Sequence, residues 1–176
     1  MSHKLGRIKQ DSSESKILGF QEASRKIQEI KNLGLRVILA QGVFDIVHIG
    51  HVEYFRAAKQ AGDILFVGIE NDETVHLNKG PNRPFFTFKD RLEFLTEFCS
   101  VDFIFGFENI PDYGKSVDMY VHRYKKLKPT AVAVSSWDPN LKLKKRQAKE
   151  AGIELAIITH NKRESSTRLL QMIGYE

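Results

Sequence analysis

Residues 42–51 read Gly42-Val43-Phe44-Asp45-Ile46-Val47-His48-Ile49-Gly50-His51 and follow the pattern G-x-F-D-x-x-H-x-G-H. Six of the ten positions are specified, and at about 5% per residue type chance gives such a match in a chain of this size only a few times in a million. An apolar run at 35–40 precedes the segment, and an apolar helical periodicity with Gly62 as its stop follows it. The segment is therefore predicted to link a strand to a helix.

Two histidines and a helix start lie together in this segment. Gly50 has no side chain, so a ligand can approach the backbone closely. If the helix begins near Gly50, His48 lies in the loop above it and His51 in its first turn, and both face the same space. Free amides at the helix start and two imidazole N–H donors suit a phosphorus centre that gathers negative charge on its oxygens. The segment therefore predicts a phosphate site with His48 and His51 as its catalytic pair.

Two other interpretations of the histidine pair stay open at this point. The pair could bind a metal ion together with Asp45, but no further cluster of cysteine or histidine supplies the remaining ligands, so we expect no protein-bound metal. The histidines could also be purely structural and satisfy polar groups of the loop. Phosphate chemistry accounts for the histidines, the glycine and the helix start together.

The tetrapeptide His48-Ile49-Gly50-His51 resembles the H-x-G-H signature of the cytidylyltransferase-like nucleotidyltransferases. The resemblance runs from about Lys16 to Ile173 and is closest to two branches, the bacterial glycerol-3-phosphate cytidylyltransferases and the adenylyltransferases that act on heptose 1-phosphate. The stretches that look like the second branch are Lys16-Ile17-Leu18, Gly62-Asp63 and residues 79–84. Class I aminoacyl-tRNA synthetases share the tetrapeptide, but their K-M-S-K-S sequence does not occur here.

The resemblance implies transfer of a nucleoside monophosphate from ATP or CTP to a phosphorylated sugar or polyol. Pyrophosphate would leave, with Mg²⁺ neutralising its charge, and His48 and His51 would stabilise the transition state. The nucleotide-binding residues that it implies in the signature are Gly42, Val43, Phe44, Asp45 and Gly50.

Three further segments resemble the family outside the signature. Lys79 stands just before the glycine of a predicted loop at 78–84, where the family has a lysine that reaches the phosphates; a solvated basic loop is the alternative. Arg91 matches a family arginine near the phosphate site. Ser165-Ser166-Thr167 resembles the family's S-T-T element, which contacts nucleotide phosphates from a helix start and also suits an ordinary N-cap.

The segment after the predicted fourth strand departs from the family pattern. It reads Ser135-Ser136-Trp137-Asp138 where a glycine–aspartate element is common. Trp137 is predicted either to contact the nucleotide by stacking on its base or to pack against the sheet edge. The arginine that the glycerol-3-phosphate branch places before S-T-T has no counterpart in register, and the nearest residues are His160, Lys162 and Arg163. The base and the acceptor stay open, with a lean to ATP from the heptose-type stretches.

Composition indicates a compact enzyme in a reducing compartment. The 176 residues are 41% hydrophobic and 28% charged, which is ordinary for one globular domain. The single cysteine, Cys99, excludes an internal disulfide and fits the cytoplasm. No run of about 18 apolar residues occurs and the first residues contain no signal-peptide core, so we expect no membrane segment.

The net charge of +5 raises the question of nucleic acid as a partner. Lysines cluster on the predicted helix at 141–151 and at the end of another helix near Lys128, and neither cluster is interleaved with aromatic residues. A solvated helix face and favourable charge near a helix C-terminus account for the two clusters. We therefore expect phosphate-rich small molecules and no nucleic acid as partners. A homodimer is the expected assembly.

Strand and helix patterns alternate with a period of about 30 residues, which predicts an α/β, Rossmann-like, doubly wound parallel sheet in a single domain. Residues 1–15 are polar and are expected to form a flexible tail, and residues 16–176 the nucleotidyltransferase domain. The predicted strands cover residues 35–40, 64–69, 101–105, 131–134 and 155–158. The predicted helices cover residues 21–32, 50–61, 71–77, 89–98, 116–127, 141–151 and 166–173.

Overall fold

The computed structural model of the protein describes residues 16–107, 118–160, 172 and 174. The strands are β1 (Ile17–Leu18), β2 (Val37–Gly42), β3 (Ile64–Ile69), β4 (Phe103–Gly106), β5 (Ala131–Ser135) and β6 (Glu154–Ile158). The helices are α1 (Phe20–Asn32), α2 (Ile49–Gln60), α3 (Asp72–Lys79), α4 (Phe88–Thr96), α5 (Asp118–Leu127) and α6 (Leu141–Ala151).

The six strands form one parallel sheet in the order β1-β4-β3-β2-β5-β6. Consecutive strands add outward from β2 to β4, and the chain then returns past β2 to place β5 on its other side. The strand order therefore reverses between β2 and β5, where Leu39 is in register with Val132. In open α/β sheets this reversal, at the carboxyl ends of the strands, is where ligands bind. The doubly wound, Rossmann-like sheet predicted from the sequence is confirmed.

Helices cover both faces of the sheet, which explains why the central strands are apolar without alternation. All six residues of β3 are buried. On one face α1 packs Ala23, Ile27 and Ile30, spaced three or four residues apart, against β2, β3 and β4. On the other face α2 contributes Phe55 and Ala58 to a second core cluster. The two layers leave the carboxyl ends of β2 and β5 open to form a site.

The helix α3 is longer than the sequence predicted, and this changes the place of Lys79. Asn71 caps the helix by accepting a hydrogen bond from the Thr74 amide at 2.8 Å. At the other end the Asn78 side chain donates to the Thr74 carbonyl at 2.9 Å, and Gly80 ends the helix with a φ of 92°. Residues 78 and 79 therefore belong to the last helical turn, and the prediction of a loop beginning at 78 was wrong there.

Other differences are small or lie outside the described residues. The strand β1 was missed because two residues carry no periodic pattern; it pairs Ile17 with Ile104 at the edge of β4. The strand β2 begins two residues later than predicted and extends to Gly42. The expected tail at 1–15 and most of the expected helix at 166–173 fall outside the part of the chain that the structure describes.

The glycine in the middle of β3 gives a test of this packing. A Cβ added at Gly68 would lie 2.5 Å from Cζ of Phe107, whose side chain is buried. We expect Gly68→Ala to lower the free energy of unfolding by about 1–3 kcal/mol, the usual effect of overpacking a core. Urea denaturation measures this effect, with Gly19→Ala as control because nothing lies within 4 Å of a Cβ there. Equal unfolding energies for the two variants would contradict the described packing.

Candidate active site

The signature loop holds one residue in a strained backbone conformation. Phe44 has a φ of 49°, in the left-handed region that costs a side-chain-bearing residue about 1–3 kcal/mol. Its ring lies 5.0 Å from the ring of Phe55 and 5.6 Å from that of His51, measured between centroids. A Cβ on Gly42 would come within 3.0 Å of the same ring. The glycine and the aromatic position of the signature are therefore one unit, which packs against the histidine.

Asp45 ties the signature loop to the segment before α4. Its buried carboxylate accepts hydrogen bonds from Arg83 Nε at 2.7 Å and from the amides of Phe85 and Phe86 at 2.9 Å. Contact between Asp45 and nucleotide stays a prediction. The hydrogen bonds that its carboxylate accepts in the structure favour a role in holding the loop in place.

Arg91 has a similar arrangement on the other side of the loop. Its guanidinium is buried and donates to the carbonyl of Val43 at 2.6 Å, that of Glu70 at 2.8 Å and that of Phe86 at 3.2 Å, and it pairs with Asp72 at 2.8 Å. Contact between Arg91 and nucleotide phosphates stays a prediction. The bonds present in the structure favour a role in positioning the loop.

The two histidines are oriented by backbone donors. His48 is the N-cap of α2, and its Nδ1 accepts a hydrogen bond from the Gly50 amide at 3.1 Å. Nδ1 of His51 accepts from the His48 amide at 3.3 Å, and the two ring centroids are 4.1 Å apart. A neutral imidazole whose Nδ1 accepts must carry its proton on Nε2. Both rings are therefore set as Nε2–H donors.

The surroundings keep both rings uncharged at neutral pH. Burial lowers the pKa of His48. Burial, and then the nearby charges of His48, Lys79 and His160, lower the pKa of His51 to about 4. The site therefore presents neutral hydrogen-bond donors, beside a lysine that carries the positive charge.

A cavity of about 240 Å³, here called the histidine cavity, lies over the strand reversal. Gln41 of β2, His48 and His51 of α2, Ser135 of β5 and His160 after β6 line it. This is the crevice between β2 and β5 that the topology predicts for a ligand. The structure thus brings the two predicted catalytic histidines to the expected edge of the sheet.

A second cavity of about 380 Å³, here called the adjacent cavity, opens beside the first. Predicted residues Gly42, Val43 and Lys79 line it, together with Glu70 at the end of β3. Gln41 and Lys144 line both cavities. The cleft therefore has two compartments that meet at the side chains of Gln41 and Lys144.

Trp137 is anchored at the rim of the histidine cavity. Its indole Nε1 donates to the carbonyl of His160 at 2.8 Å, and its amide donates to Ser135 Oγ at 3.1 Å. The same hydroxyl lies 2.9 Å from Nε2 of His160. About half of the Trp137 side chain is exposed, so a ring face is accessible even though the N–H is engaged. Base stacking on Trp137 stays a prediction.

Sequence reasoning missed two side chains of this cleft. Lys144 was attributed to a solvated helix face, but its Nζ pairs with Asp138 at 2.6 Å, and both side chains are largely buried. His160 received no role, although it follows the last strand of the sheet. The signal that both share is position: Lys144 follows the carboxyl end of β5, which flanks the reversal, and His160 follows that of β6, which pairs with β5.

Some predicted features cannot be located within the described residues. Ser165, Ser166 and Thr167 lie outside them. In the described part of the chain, no group of three or more histidine, cysteine or acidic side chains is placed to hold a metal ion. No helix in that part is both long and apolar enough to cross a bilayer.

Comparison with known proteins shows the family of the chain. The model of the cytidylyltransferase-like family matches residues 39–162. The Bifunctional protein HldE of Sulfurimonas denitrificans is 38% identical over 106 residues, which are 60% of this chain and 22% of that protein. The protein of the same name from Desulfatibacillum aliphaticivorans is 26% identical over 161 residues, 91% of this chain and 31% of that protein. The chain therefore spans less than a third of the length of these relatives.

Solved structures show a similar fold. The lipopolysaccharide core biosynthesis protein from Thermoplasma volcanium GSS1 has a TM-score of 0.55 and 27% identity, covering 74% of this chain and all of that one. A pantoate-beta-alanine ligase from Francisella tularensis has a TM-score of 0.57 at 15% identity, covering 86% of this chain and 68% of that one. The second likeness shows the fold alone.

The lowered pKa of His51 predicts a pH dependence of stability. An unfolded histidine titrates near 6.5 and His51 in the native state near 4, so the native state binds a proton less readily. The resulting contribution to the free energy of unfolding is fully present above about pH 6.5. It is lost as the pH falls from there through the native-state pKa of about 4. We expect the wild type to lose about 2 kcal/mol more than His51→Asn between pH 7 and 4.5. Urea denaturation at the two pH values measures the difference.

The same assignment has a spectroscopic check. Nitrogen-15 NMR of the histidines distinguishes the Nε2–H tautomer and follows its titration. A titration midpoint near pH 6.5 for His51 would contradict the lowered pKa. An Nδ1–H tautomer in either ring would contradict the described hydrogen bonds.

Proposed function

The chain belongs to the cytidylyltransferase-like family, and from its site we propose that it transfers a nucleoside monophosphate from ATP or CTP to a phosphorylated small molecule. The observation that carries this proposal is the pair of neutral Nε2–H donors at the start of α2, in the crevice where the strand order reverses. Such donors stabilise oxygens that gain negative charge and need no proton transfer to do so.

The reaction would be an in-line displacement at the α-phosphorus of the nucleotide. An oxygen of the acceptor phosphate forms the new bond to that phosphorus, and the bond to the bridging oxygen of pyrophosphate breaks. A phosphate monoester has its second pKa near 6 and is largely ionised at neutral pH, so no protein base has to remove a proton. Catalysis then consists of positioning the substrates and stabilising charge.

Each predicted residue has a place in this scheme. His48 and His51 would donate from Nε2 to the equatorial oxygens of the α-phosphate, beside the amides of the α2 start. Lys79, at the end of α3, would hold the triphosphate, and its proximity to His51 supports this because its charge lowers the pKa of His51. Ser166 and Thr167 would hold phosphate oxygens, as the family resemblance implies.

Mg²⁺ is proposed as the counterion of the triphosphate. The described residues contain no cluster of ligands for a metal, and the carboxylate of Asp138 in the cleft is paired with Lys144. The ion would therefore arrive on the nucleotide, whose phosphate oxygens are the hard ligands that Mg²⁺ prefers, and complete its shell with water.

For the substrates we propose ATP and a heptose-type sugar phosphate. The stretches at Lys16-Ile17-Leu18 and at 79–84, together with the likeness to proteins named HldE, support this choice. Glycerol 3-phosphate with CTP is the second candidate, because Trp137 falls where that branch also has a tryptophan. Homodimeric assembly is proposed on the same family resemblance.

Pyrophosphate release tests the proposal. We expect release with ATP and a sugar 1-phosphate, and at least tenfold less with CTP, a difference of about 1.4 kcal/mol in the transition state. Replacing His48 or His51 by Ala should lower kcat by roughly 10²-fold, as the loss of an oxyanion donor does. His122→Ala is the matched control, since His122 is exposed on α5.

Three results of the pyrophosphate-release assay would each contradict a different part of the proposal. A tenfold preference for CTP would overturn the choice of base but keep the reaction. Turnover within threefold of wild type in both active-site histidine variants would remove the histidines from the mechanism. Binding of nucleotide without pyrophosphate release from any acceptor would indicate a catalytically silent nucleotide-binding protein.

A separate prediction concerns Lys79. Lys79→Ala should raise KM for the nucleotide by about tenfold, the loss expected for a charged hydrogen bond to phosphate, and change KM for the acceptor by less than twofold. Lys89→Ala, which removes an exposed lysine at the start of α4, serves as control. If Lys79→Ala raises KM for the acceptor alone, Lys79 contacts the acceptor and not the nucleotide.

A further inference from the structure

The two compartments of the cleft meet at a largely buried lysine. Lys144, near the start of α6, lines both the histidine cavity and the adjacent cavity. Its side chain is only 22% exposed, although lysine is ordinarily among the most exposed residues. Gln41, the other side chain that lines both cavities in the described part of the chain, is neutral. A positive charge therefore stands where one compartment passes into the other.

Asp138 holds this ammonium group in place. Its Oδ2 accepts a hydrogen bond from Lys144 Nζ at 2.6 Å, and its Oδ1 accepts one from the Asn140 amide at 2.7 Å. The amide of Asp138 in turn donates to the carbonyl of Ser135, the last residue of β5, at 3.0 Å. Both carboxylate oxygens are thus engaged, and the lysine is fixed relative to the edge of the sheet. A group that stabilises charge in a transition state needs such preorganisation.

The surroundings of Lys144 favour an anion beside it. An ammonium group has three N–H donors, and within the described residues Asp138 supplies the acceptor for one of them. A lysine near the start of a helix also opposes the helix dipole, and the first turn of α6 contains no acidic residue. An anionic oxygen placed against Lys144 would accept from the remaining donors and offset this cost. The junction of the two cavities is therefore suited to a negatively charged atom.

The proposed placement of the nucleotide puts one particular oxygen at this junction. His48 and His51, which line the histidine cavity, are proposed to hold the α-phosphate. Lys79, which lines the adjacent cavity, is proposed to hold the rest of the triphosphate. The bond from the α-phosphorus to the oxygen that bridges it to the β-phosphate then crosses from one compartment into the other. That bond breaks in the reaction, and its electron pair stays on the bridging oxygen, which becomes a terminal oxygen of pyrophosphate.

We propose that Lys144 is a further catalytic residue, which donates a hydrogen bond to the oxygen that leaves with pyrophosphate, and that Asp138 is its positioning residue. This inference rests on the proposed nucleotidyl transfer and adds to it the group that stabilises the leaving oxygen. The ammonium group keeps its protons, because pyrophosphate leaves as an anion. The contact strengthens as the bond breaks and negative charge grows on the oxygen, so it raises kcat more than nucleotide affinity.

Leaving groups of graded basicity test the catalytic role. Single-turnover rates are measured with excess enzyme, Mg²⁺ and glucose 1-phosphate, for ATP and for its β,γ-difluoromethylene and β,γ-methylene analogues. Lys144→Gln should lower the rate with ATP by about 10²-fold, as the loss of a charge-stabilising donor does. The methylene analogue has the more basic leaving group and depends more on a donor. Its rate should therefore fall at least about fivefold more than that of the difluoromethylene analogue.

Three further variants separate catalysis from structure. Lys144→Arg keeps the positive charge and should restore the wild-type ratio of the two analogue rates. Lys142→Gln removes an exposed lysine from the same helix and should behave as wild type. Asp138→Asn should change the ratio in the same direction as Lys144→Gln but by a smaller factor. A purely structural Asp138 would instead lower Tm and leave the ratio unchanged.

Binding to the whole chain tests the contact without turnover. Calorimetry in the presence of Mg²⁺ compares inorganic pyrophosphate, which contains the leaving oxygen, with AMP, which does not. Lys144→Gln should weaken pyrophosphate binding by at least about tenfold, the loss expected for a charged hydrogen bond. AMP binding should change by less than about threefold in the same variant, because its phosphate is assigned to the histidines.

Each readout can overturn a different part of the proposal. A wild-type ratio of the analogue rates in Lys144→Gln would overturn the catalytic role of the lysine. Wild-type pyrophosphate affinity in that variant, or equal losses in Lys142→Gln, would overturn the contact itself. Failure of the reaction has another signature. Lys144-dependent pyrophosphate binding without pyrophosphate release from any acceptor would retain Lys144 as a pyrophosphate-binding residue and refute the nucleotidyl transfer.

Discussion

The buried guanidinium of Arg91 connects three segments that are distant along the chain. It donates to the carbonyl of Val43 in the signature loop, to that of Glu70 after β3, and to that of Phe86 before α4. A charged group is stable in such a place only when its donors find acceptors, so the three carbonyls have little freedom to move. The strained backbone of Phe44 and the orientation of both histidines depend on this fixed loop. Asp45 reinforces it from the other side.

A site for two anionic substrates has to bring like charges together, and the arrangement of charge in the cleft suits that task. The groups nearest the proposed reaction centre are neutral donors, because burial lowers the pKa of His48, and burial together with neighbouring positive charge lowers that of His51. The positive charges come from Lys79, close enough to lower the pKa of His51, and from Lys144, which lines both cavities and is paired with Asp138. Neutral donors fixed in advance need no reorganisation when charge develops on the α-phosphate, whereas the lysines offset repulsion between the two phosphates.

Sequence patterns predicted the sheet and the histidine loop well because both depend on local regularities. Apolar runs and helical periodicity define β3 and α6, and six specified residues define the signature. What failed depended either on single side-chain hydrogen bonds at helix ends or on tertiary contacts. The continuation of α3 to Lys79 rests on the Asn71 cap and the Asn78 side chain, and β1 exists only by pairing with β4. Lys144 and His160 are placed in the cleft by the strand order, which no local pattern reveals.

The division of the cleft has a consequence for how such a protein can change. In the described part of the chain, Gln41 and Lys144 are the two side chains that belong to both compartments. The adjacent cavity is walled mainly by α3, α5 and the segment after β3, whereas the histidine cavity is walled by α2 and the ends of β5 and β6. Substitutions in the first wall, Lys79 excepted, therefore leave the lining of the histidine cavity intact. A duplicated copy of such a gene can therefore change the shape of one compartment while the histidine loop stays as it was inherited.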